Sequence, residues 1–262
     1  MDIRLKQDRK AVDERQQKIL EMVREKGEVQ TEEISEILGI SLMTVRRYLR
    51  ALEERGFLFR VHGGAVSKEK SSTVRATEEV NNCRRRISEY AASLVSEGET
   101  IYINGSMTAL NMLRYVEDKK INVITNNGAA VAANFSPSVS IKLTGGLLHD
   151  HILVGEMTMQ TLLETHADKV FLGCAAVYDD GEFRYDIPTE IGINEIMVAR
   201  ASEHLYILAD HTKLRPRTEK VNTYGSCRYS CAHTLITDEL ADPQVLESLK
   251  KEGLNVITVP VK

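Results

Sequence analysis

Residues 30–65, QTEEISEILGISLMTVRRYLRALEERGFLFRVHGGA, decide how this chain is read. The run holds a short helical pattern that ends at Gly39-Ile40 and then a longer helical pattern rich in arginine. Two β-prone pieces around glycines follow. That order is the outline of a winged helix-turn-helix, a device that lays one helix in the major groove of DNA. Thr31 is the expected N-cap of the first helix, with Glu32 and Glu33 at its positive end and Ile34, Ile37 and Leu38 as its buried positions. Ser41 is the expected cap of the second. At 100° per residue, Val45, Tyr48, Leu49 and Leu52 gather on one face of that helix. Met43, Arg47 and Arg50 lie opposite, flanked by Thr44 and Arg46. Guanidinium groups pair bidentately with guanine, and a threonine reaches a phosphate or a thymine methyl. Most helical charge runs are only solvated faces. Here the turn, the cap and the Gly-Gly hairpin after it all fit one device. The candidate DNA contacts are therefore Ser41, Met43, Thr44, Arg46, Arg47 and Arg50, with Arg60, His62 and Gly63 on the wing. Upstream, Ile19, Leu20 and Val23 predict a helix over residues 13–26, stopped by Gly27.

The chain has 262 residues, more than one domain usually holds. Its net charge of −4 is uneven. Residues 1–70 carry 15 Lys+Arg against 13 Asp+Glu, leaving 19 against 25 for the rest. An acidic body is repelled by phosphate, so DNA contact is expected at the N-terminal end alone. No apolar run approaches the ~18 residues of a membrane span, and MDIRLKQDRK lacks a signal peptide's apolar core. The expectation is a cytoplasmic protein. Four scattered cysteines predict reduced thiols and no disulfide framework. His149, His151, Cys227, Cys231 and His233 offer a metal-sensor reading, but they complete no four-ligand motif.

Residues 67–82 are polar and aperiodic and read as a linker between domains at 1–66 and 83–262. Beyond it, β-rich runs at 100–104, 121–125, 139–144, 169–174, 204–209, 234–237 and 255–259 alternate with helical patterns. Such alternation predicts an α/β domain with a largely parallel sheet, whose ligands bind beyond the carboxyl ends of the strands. Four of those ends carry candidate ligand residues: Asn104, Gly105, Ser106 and Thr108; Asn126 and Asn127; Gly145 and Gly146; and Asp210, Lys213 and Arg215. Helix-start N–H groups, hydroxyls and two cations suit a phosphate, and glycines admit a ligand to the backbone. Each turn alone reads as an ordinary loop. Four in succession favour a phosphorylated sugar or polyol.

Arg15, Ile19, Ser41, Thr44, Val45, Arg46, Arg47, Leu49, Leu52, Glu53, Gly56, Leu58, Arg60, His62, Gly63, Gly64 and Ala65 form an ordered pattern. It resembles the DeoR family of bacterial transcriptional regulators. The likeness continues through TNN at 125–127, TGG at 144–146, LVG at 153–155, FLG at 171–173, Glu190 with Met197, and LADHTK at 208–213. It implies a C-terminal domain similar to the ribose-5-phosphate isomerase and glucosamine-6-phosphate deaminase type. It also implies a repressor sensing a phosphorylated metabolite, with Glu190 beside the ligand and no cofactor. The partners it implies are a double-stranded DNA operator and further copies of the chain, as a dimer or higher oligomer. Three positions depart from the family pattern. Tyr48 replaces an acidic residue, Asn104-Gly105-Ser106-Met107-Thr108 stands where D-S-G-T-T is usual, and Cys174-Ala175-Ala176 stands for A-D-G. The expected consequence is a less polar pocket. An isomerase- or deaminase-like enzyme carrying a DNA-binding module is the alternative. Glu190, Asp210, His211 and Lys213 would be its remaining acid–base groups, and the loss of carboxylates at 104 and 175 argues against it.

Overall fold

A computed structural model describes residues 15–54, 57–61, 63–66, 71–219, 223–227 and 233–262. It divides into two compact units, Met1–Glu79 and Val80–Lys262. In the first, α1 (residues 15–26) ends at Gly27, which takes φ 74°. Then come β1 (Glu28–Gln30), α2 (Thr31–Leu38), α3 (Leu42–Glu54), β2 (Phe59–Val61) and β3 (Gly64–Val66). The three strands form one antiparallel sheet in the order β1-β3-β2, the winged helix-turn-helix expected from the sequence. Its core joins Ile19 and Val23 of α1, Ile34 of α2, and Val45, Tyr48, Leu49 and Leu52 of α3.

Two local expectations fail in this unit. Thr31 does not cap α2 but is its first residue, because its N–H and hydroxyl both bond the Gly63 carbonyl, at 2.7 and 2.9 Å. Ile37 is 49% exposed, so α2 buries a narrower stripe than its apolar residues suggest. Gly63 takes φ 81° before β3, and Gly64, paired with Val61, already belongs to that strand. A Cβ on Gly64 would lie 2.3 Å from the Val29 carbonyl oxygen, so the strands close only over glycine.

α4 (Ser71–Ser93) begins inside the segment 67–82 that reads as an aperiodic join: the chain is helical from Ser71, and the division between the units, at Glu79/Val80, falls within that segment. Absence of apolar periodicity signals absence of a buried stripe, and neither Gly nor Pro interrupts residues 71–93.

The second unit follows as β4 (Thr100–Ile103), α5 (Met107–Asn111), β5 (Ile121–Thr125), β6 (Val139–Leu143), β7 (Leu147–His149), β8 (Ile152–Val154), α6 (Glu156–Leu163) and β9 (Ala167–Gly173). It continues through β10 (Ala176–Tyr178), β11 (Phe183–Tyr185), α7 (Thr189–Ala199), β12 (Ala201–Leu208), β13 (Leu214–Arg215), β14 (Tyr224–Cys227), β15 (His233–Asp238), α8 (Pro243–Lys251) and β16 (Asn255–Val259). The seven expected strands form one parallel sheet in the order β16-β15-β12-β9-β4-β5-β6. Neighbouring residues alternate between its faces. Tyr102, Val170 and Leu172 pack towards α6, α7 and α8, whereas Ile101, Ile103 and Phe171 pack towards α4 and α5. Both faces are covered, which is why the strands read as nearly continuous apolar runs. The chain builds β4, β5 and β6 outward in one direction. It then returns to lay β9 against the other side of β4 and builds β12, β15 and β16 the opposite way. The strand order therefore reverses between β4 and β9, and a crevice opens at their carboxyl ends.

Two glycines separate the effect of space from that of helix propensity. Gly64→Ala destabilises the first unit by about 1–3 kcal/mol through the clash with backbone. Gly192→Ala, where an added Cβ meets nothing within 4 Å on α7, stabilises the second by about 0.5–1 kcal/mol. Denaturant melts of the two variants against the parent check both signs.

Candidate DNA interface and ligand pocket

Ser41 caps α3, its hydroxyl accepting from the Thr44 N–H at 3.2 Å and lying 2.9 Å from the Thr44 hydroxyl. With the helix start held there, Val45, Tyr48, Leu49 and Leu52 turn into the core. Met43, 81% exposed, and Arg46, Arg47 and Arg50 turn outward. Tyr48 is 3% exposed, so the departure from an acidic residue is a packing change, and the Arg47 guanidinium stands 5.7 Å above its ring. Thr44 is half-buried, Arg60 falls on β2, and Gly63 forms the hairpin turn. His62 lies outside the described residues.

At the β4–β9 switch point, the Asn104 side chain ties the two strand ends together. Its Nδ2 donates to the Gly173 carbonyl at 3.0 Å. Its Oδ1 accepts from the Gly173 N–H at 3.0 Å and the Ser106 N–H at 3.2 Å. A carboxylate could accept both N–H bonds but could not donate the third. Ser106 then caps α5 through the Ala109 N–H at 3.2 Å, and a Cβ on Gly173 would lie 2.2 Å from the Ser106 hydroxyl.

A cavity of about 730 Å³ opens beyond this tie. Of the twelve expected ligand residues, Asn104, Gly105, Ser106, Thr108, Glu190 and Lys213 line it. Lys213 donates from Nζ to the Cys174 carbonyl at 2.7 Å, which fixes the ammonium at the mouth of β9. Glu190 is 8% exposed. Burial, then the neighbouring Asp186 charge, pushes its carboxyl up to about 7 against the opposing pull of His151 and Lys213.

The other six expected residues do not line the cavity, for reasons visible in their bonding. Asn127 donates to the Gly105 carbonyl at 3.1 Å, and Asn126 donates to the Leu153 carbonyl at 3.1 Å, so both position neighbouring backbone. A Cβ on Gly146 would meet Thr158 Oγ1 at 2.5 Å and the Val154 carbonyl oxygen at 2.6 Å; that glycine serves packing. Gly145 likewise turns its carbonyl to the Thr158 hydroxyl, at 2.6 Å. Asp210 is buried beside Arg84, whose Nε lies 2.8 Å from Oδ2. Burial would raise its carboxyl, but Arg84, Thr212 and Lys213 more than offset this and hold it below the ordinary range. Arg215 is taken up by Glu219 and the Thr212 carbonyl, each at 2.9 Å.

Sequence reasoning missed three walls of the cavity. One is α4, which contributes Asn81, Arg84, Arg85 and Ser88; the Arg84-Arg85-Arg86 run was its only signal. Another is the β7–β8 hairpin, where Asp150 adopts φ 56° in the turn. There His151 sets Nε2 3.1 Å from the Gly105 carbonyl and Nδ1 3.0 Å from Asp150. The third is the end of α5 with the turn after it, which brings Asn111, Arg114 and Tyr115.

Of the metal-sensor residues, His149 and His151 line the cavity, His233 and Cys227 fall on β15 and β14, and Cys231 lies outside the described residues. Among the described residues, a different trio stands close together: Cys83, His211 and Asp238. Asp238 is already occupied by the His211 N–H and Nδ1, both at 2.8 Å, and by the Leu240 N–H at 3.1 Å. It anchors the loop that carries Lys213. No helix among the described residues is long and apolar enough to cross a membrane.

The chain matches the family described as DeoR C terminal sensor domain over residues 79–239, and the DeoR-like helix-turn-helix domain over residues 15–71. It is 30% identical to the "Uncharacterized HTH-type transcriptional regulator YulB" of Bacillus subtilis (strain 168), over 95% of this chain and 98% of that one. It is 31% identical to the "Lactose phosphotransferase system repressor" of Staphylococcus epidermidis, over 77% of this chain and 83% of that one. Among solved structures, ribose 5-phosphate isomerase A of Methanocaldococcus jannaschii aligns at 16% identity with a TM-score of 0.37, over 52% of this chain and 55% of that one. With a winged helix-turn-helix at one end and the sensor-domain match covering more than half its length, this chain is a member of the DeoR family, a DNA-binding transcriptional regulator.

Proposed function

We propose that this regulator is a repressor whose hold on operator DNA is modulated by a phosphorylated sugar or polyol in the switch-point cavity. The observation that carries the reading is the Lys213 ammonium fixed at the carboxyl end of β9, inside a cavity that Arg84 also lines. A cation held at a strand end in a walled crevice suits an anionic small molecule. The lactose-system repressor among the relatives supports a carbohydrate-derived effector and a repressing sign. One α3 reads only a half-site, so operator binding calls for at least two copies of the chain. Residues Ser41, Met43, Thr44, Arg46, Arg47 and Arg50 form the proposed DNA face, with Arg60, His62 and Gly63 on the wing. The cavity binds and does not turn over its ligand in this reading. The Asn104 amide is committed to backbone on both sides, and Ala175 offers no acid–base group.

Arg47→Ala is expected to weaken specific operator binding about 10–100-fold, the worth of one guanidinium–base pair, in a mobility-shift titration. Unchanged affinity would remove α3 as the reading helix. In a thermal-shift screen, a sugar phosphate that binds the native sensor raises its midpoint. The same compound should release operator DNA, and Lys213→Ala should weaken both effects. A screen of pentose, hexose and polyol phosphates without any shift removes the proposed effector class.

Glu190 supplies a pH test. Its folded value of about 7 lies above the ordinary 4.5, so its contribution to stability is complete below 4.5 and is lost as pH rises through 7. The parent should therefore lose about 2–3 kcal/mol more than Glu190→Gln between pH 4.5 and pH 8 in denaturant melts. Parallel pH profiles would show that Glu190 does not titrate in this range.

A further inference from the structure

We propose that the cavity holds a ligand with two anionic ends, a sugar or polyol phosphorylated at both termini, and that Arg114 with Arg85 receives the second. This rests on the sugar-phosphate reading above and extends it to the class of effector. Lys213 serves the first end, at the strand-end loops. From Ser106 the chain runs through α5 and the turn at Met112–Arg114, which at ~1.5–2 Å per residue carries Arg114 roughly 12 Å or more along that wall. On that backbone spacing, a phosphate seated at Lys213 leaves Arg114 to a second anionic group. A six-carbon chain phosphorylated at each end has the length to supply both.

The charges at the far end are under-neutralised. Arg85 and Arg86 share one carboxylate, Glu89, at 3.1 and 2.8 Å. Arg114 touches only the Asn111 amide oxygen, from Nε at 3.1 Å, and no carboxylate stands within ion-pair reach of it among the described residues. Arg84 differs, since buried Asp210 already balances it. The carboxylates that line the cavity, Asp150, Asp186 and Glu190, sit on the β7–β8 hairpin and before and within α7, on other elements than these arginines. Two guanidinium groups with the Asn81 and Asn111 amides form a donor-rich end that suits a dianion.

The test compares fructose 6-phosphate with fructose 1,6-bisphosphate, and sorbitol 6-phosphate with sorbitol 1,6-bisphosphate, by isothermal titration of the full-length protein. The expected result is a bisphosphate preference of about tenfold or more in one pair, the worth of one charge-assisted contact. Arg114→Gln should remove most of that preference, and Arg85→Gln should reduce it. Lys213→Ala should weaken both members of a pair together. Equal affinity for mono- and bisphosphate, or a preference that survives both arginine variants, overturns the second subsite and leaves the sugar-phosphate reading standing. Absence of binding by all four compounds and by the wider screen overturns both.

Discussion

The sensor depends on one side chain that bonds in both senses. Asn104 sits where the strand order reverses, between β4 and β9, and there the parallel ladder runs out. Two strand ends diverging at a crevice would leave the Gly173 N–H and C=O without ladder partners. The Asn104 amide satisfies both at 3.0 Å, deep in the fold at 2% exposure. Unmade, each of those buried bonds costs about 1–3 kcal/mol. The tie also fixes the Ser106 N–H, and through Ser106 the start of α5. The floor and one wall of the cavity thus descend from a single residue. The amide that departs from the family's aspartate is a structural fit for this neighbourhood as well as a chemical change.

The first unit is held by close approach. Thr31 bonds the Gly63 carbonyl twice, and Gly64 lets β3 come within reach of Val29, so the wing is drawn against the start of α2. Because α2, its turn at Gly39 and the Ser41 cap follow in sequence, the same contacts set where α3 begins. Four apolar residues on α3 then determine its rotation, and the exposed arginines are the necessary remainder of that choice.

Most of the architecture was legible because its signals are periodic. Seven apolar runs, each of strand length and each between helical patterns, could only be the buried strands of an α/β sheet, and all seven are there. The α3 face was legible for the same reason, through 3.6-residue spacing. The elements that escaped are those without a period. β7 and β8 have three residues each, too few to show alternation, yet their hairpin builds a wall of the cavity. The start of α4 escaped, from Ser71 on, because a helical stretch without an apolar period in its sequence looks like a loop. The ligand residues divided along another line. Conformation at the strand ends could be read from Gly, Asn and Ser, but whether a polar side chain faces a ligand or a neighbouring carbonyl depends on partners distant in sequence. Asn127 and Asp210 were both spent on such partners.

The two lost carboxylates, at 104 and 175, gain meaning from the charges that remain. Three carboxylates line the cavity, and Glu190 is buried enough to be pushed up to about 7 with Asp186 adding to the rise. The Cys174 thiol beside them is pushed up to about 12, first by burial, against the pull of Lys213 and with Asp210, Asp186 and Glu190 adding to it. Further carboxylates at 104 and 175 would raise Glu190 again and draw Lys213 into internal pairing. With an amide and a methyl in their place, the Lys213 ammonium donates to the Cys174 carbonyl oxygen, its one hydrogen-bonded partner among the described residues, which satisfies its geometry without neutralising its charge. A pocket that looks less polar by residue count therefore carries two fewer negative charges than the family pattern would give it, and a substitution pattern that first reads as loss leaves the Lys213 charge standing.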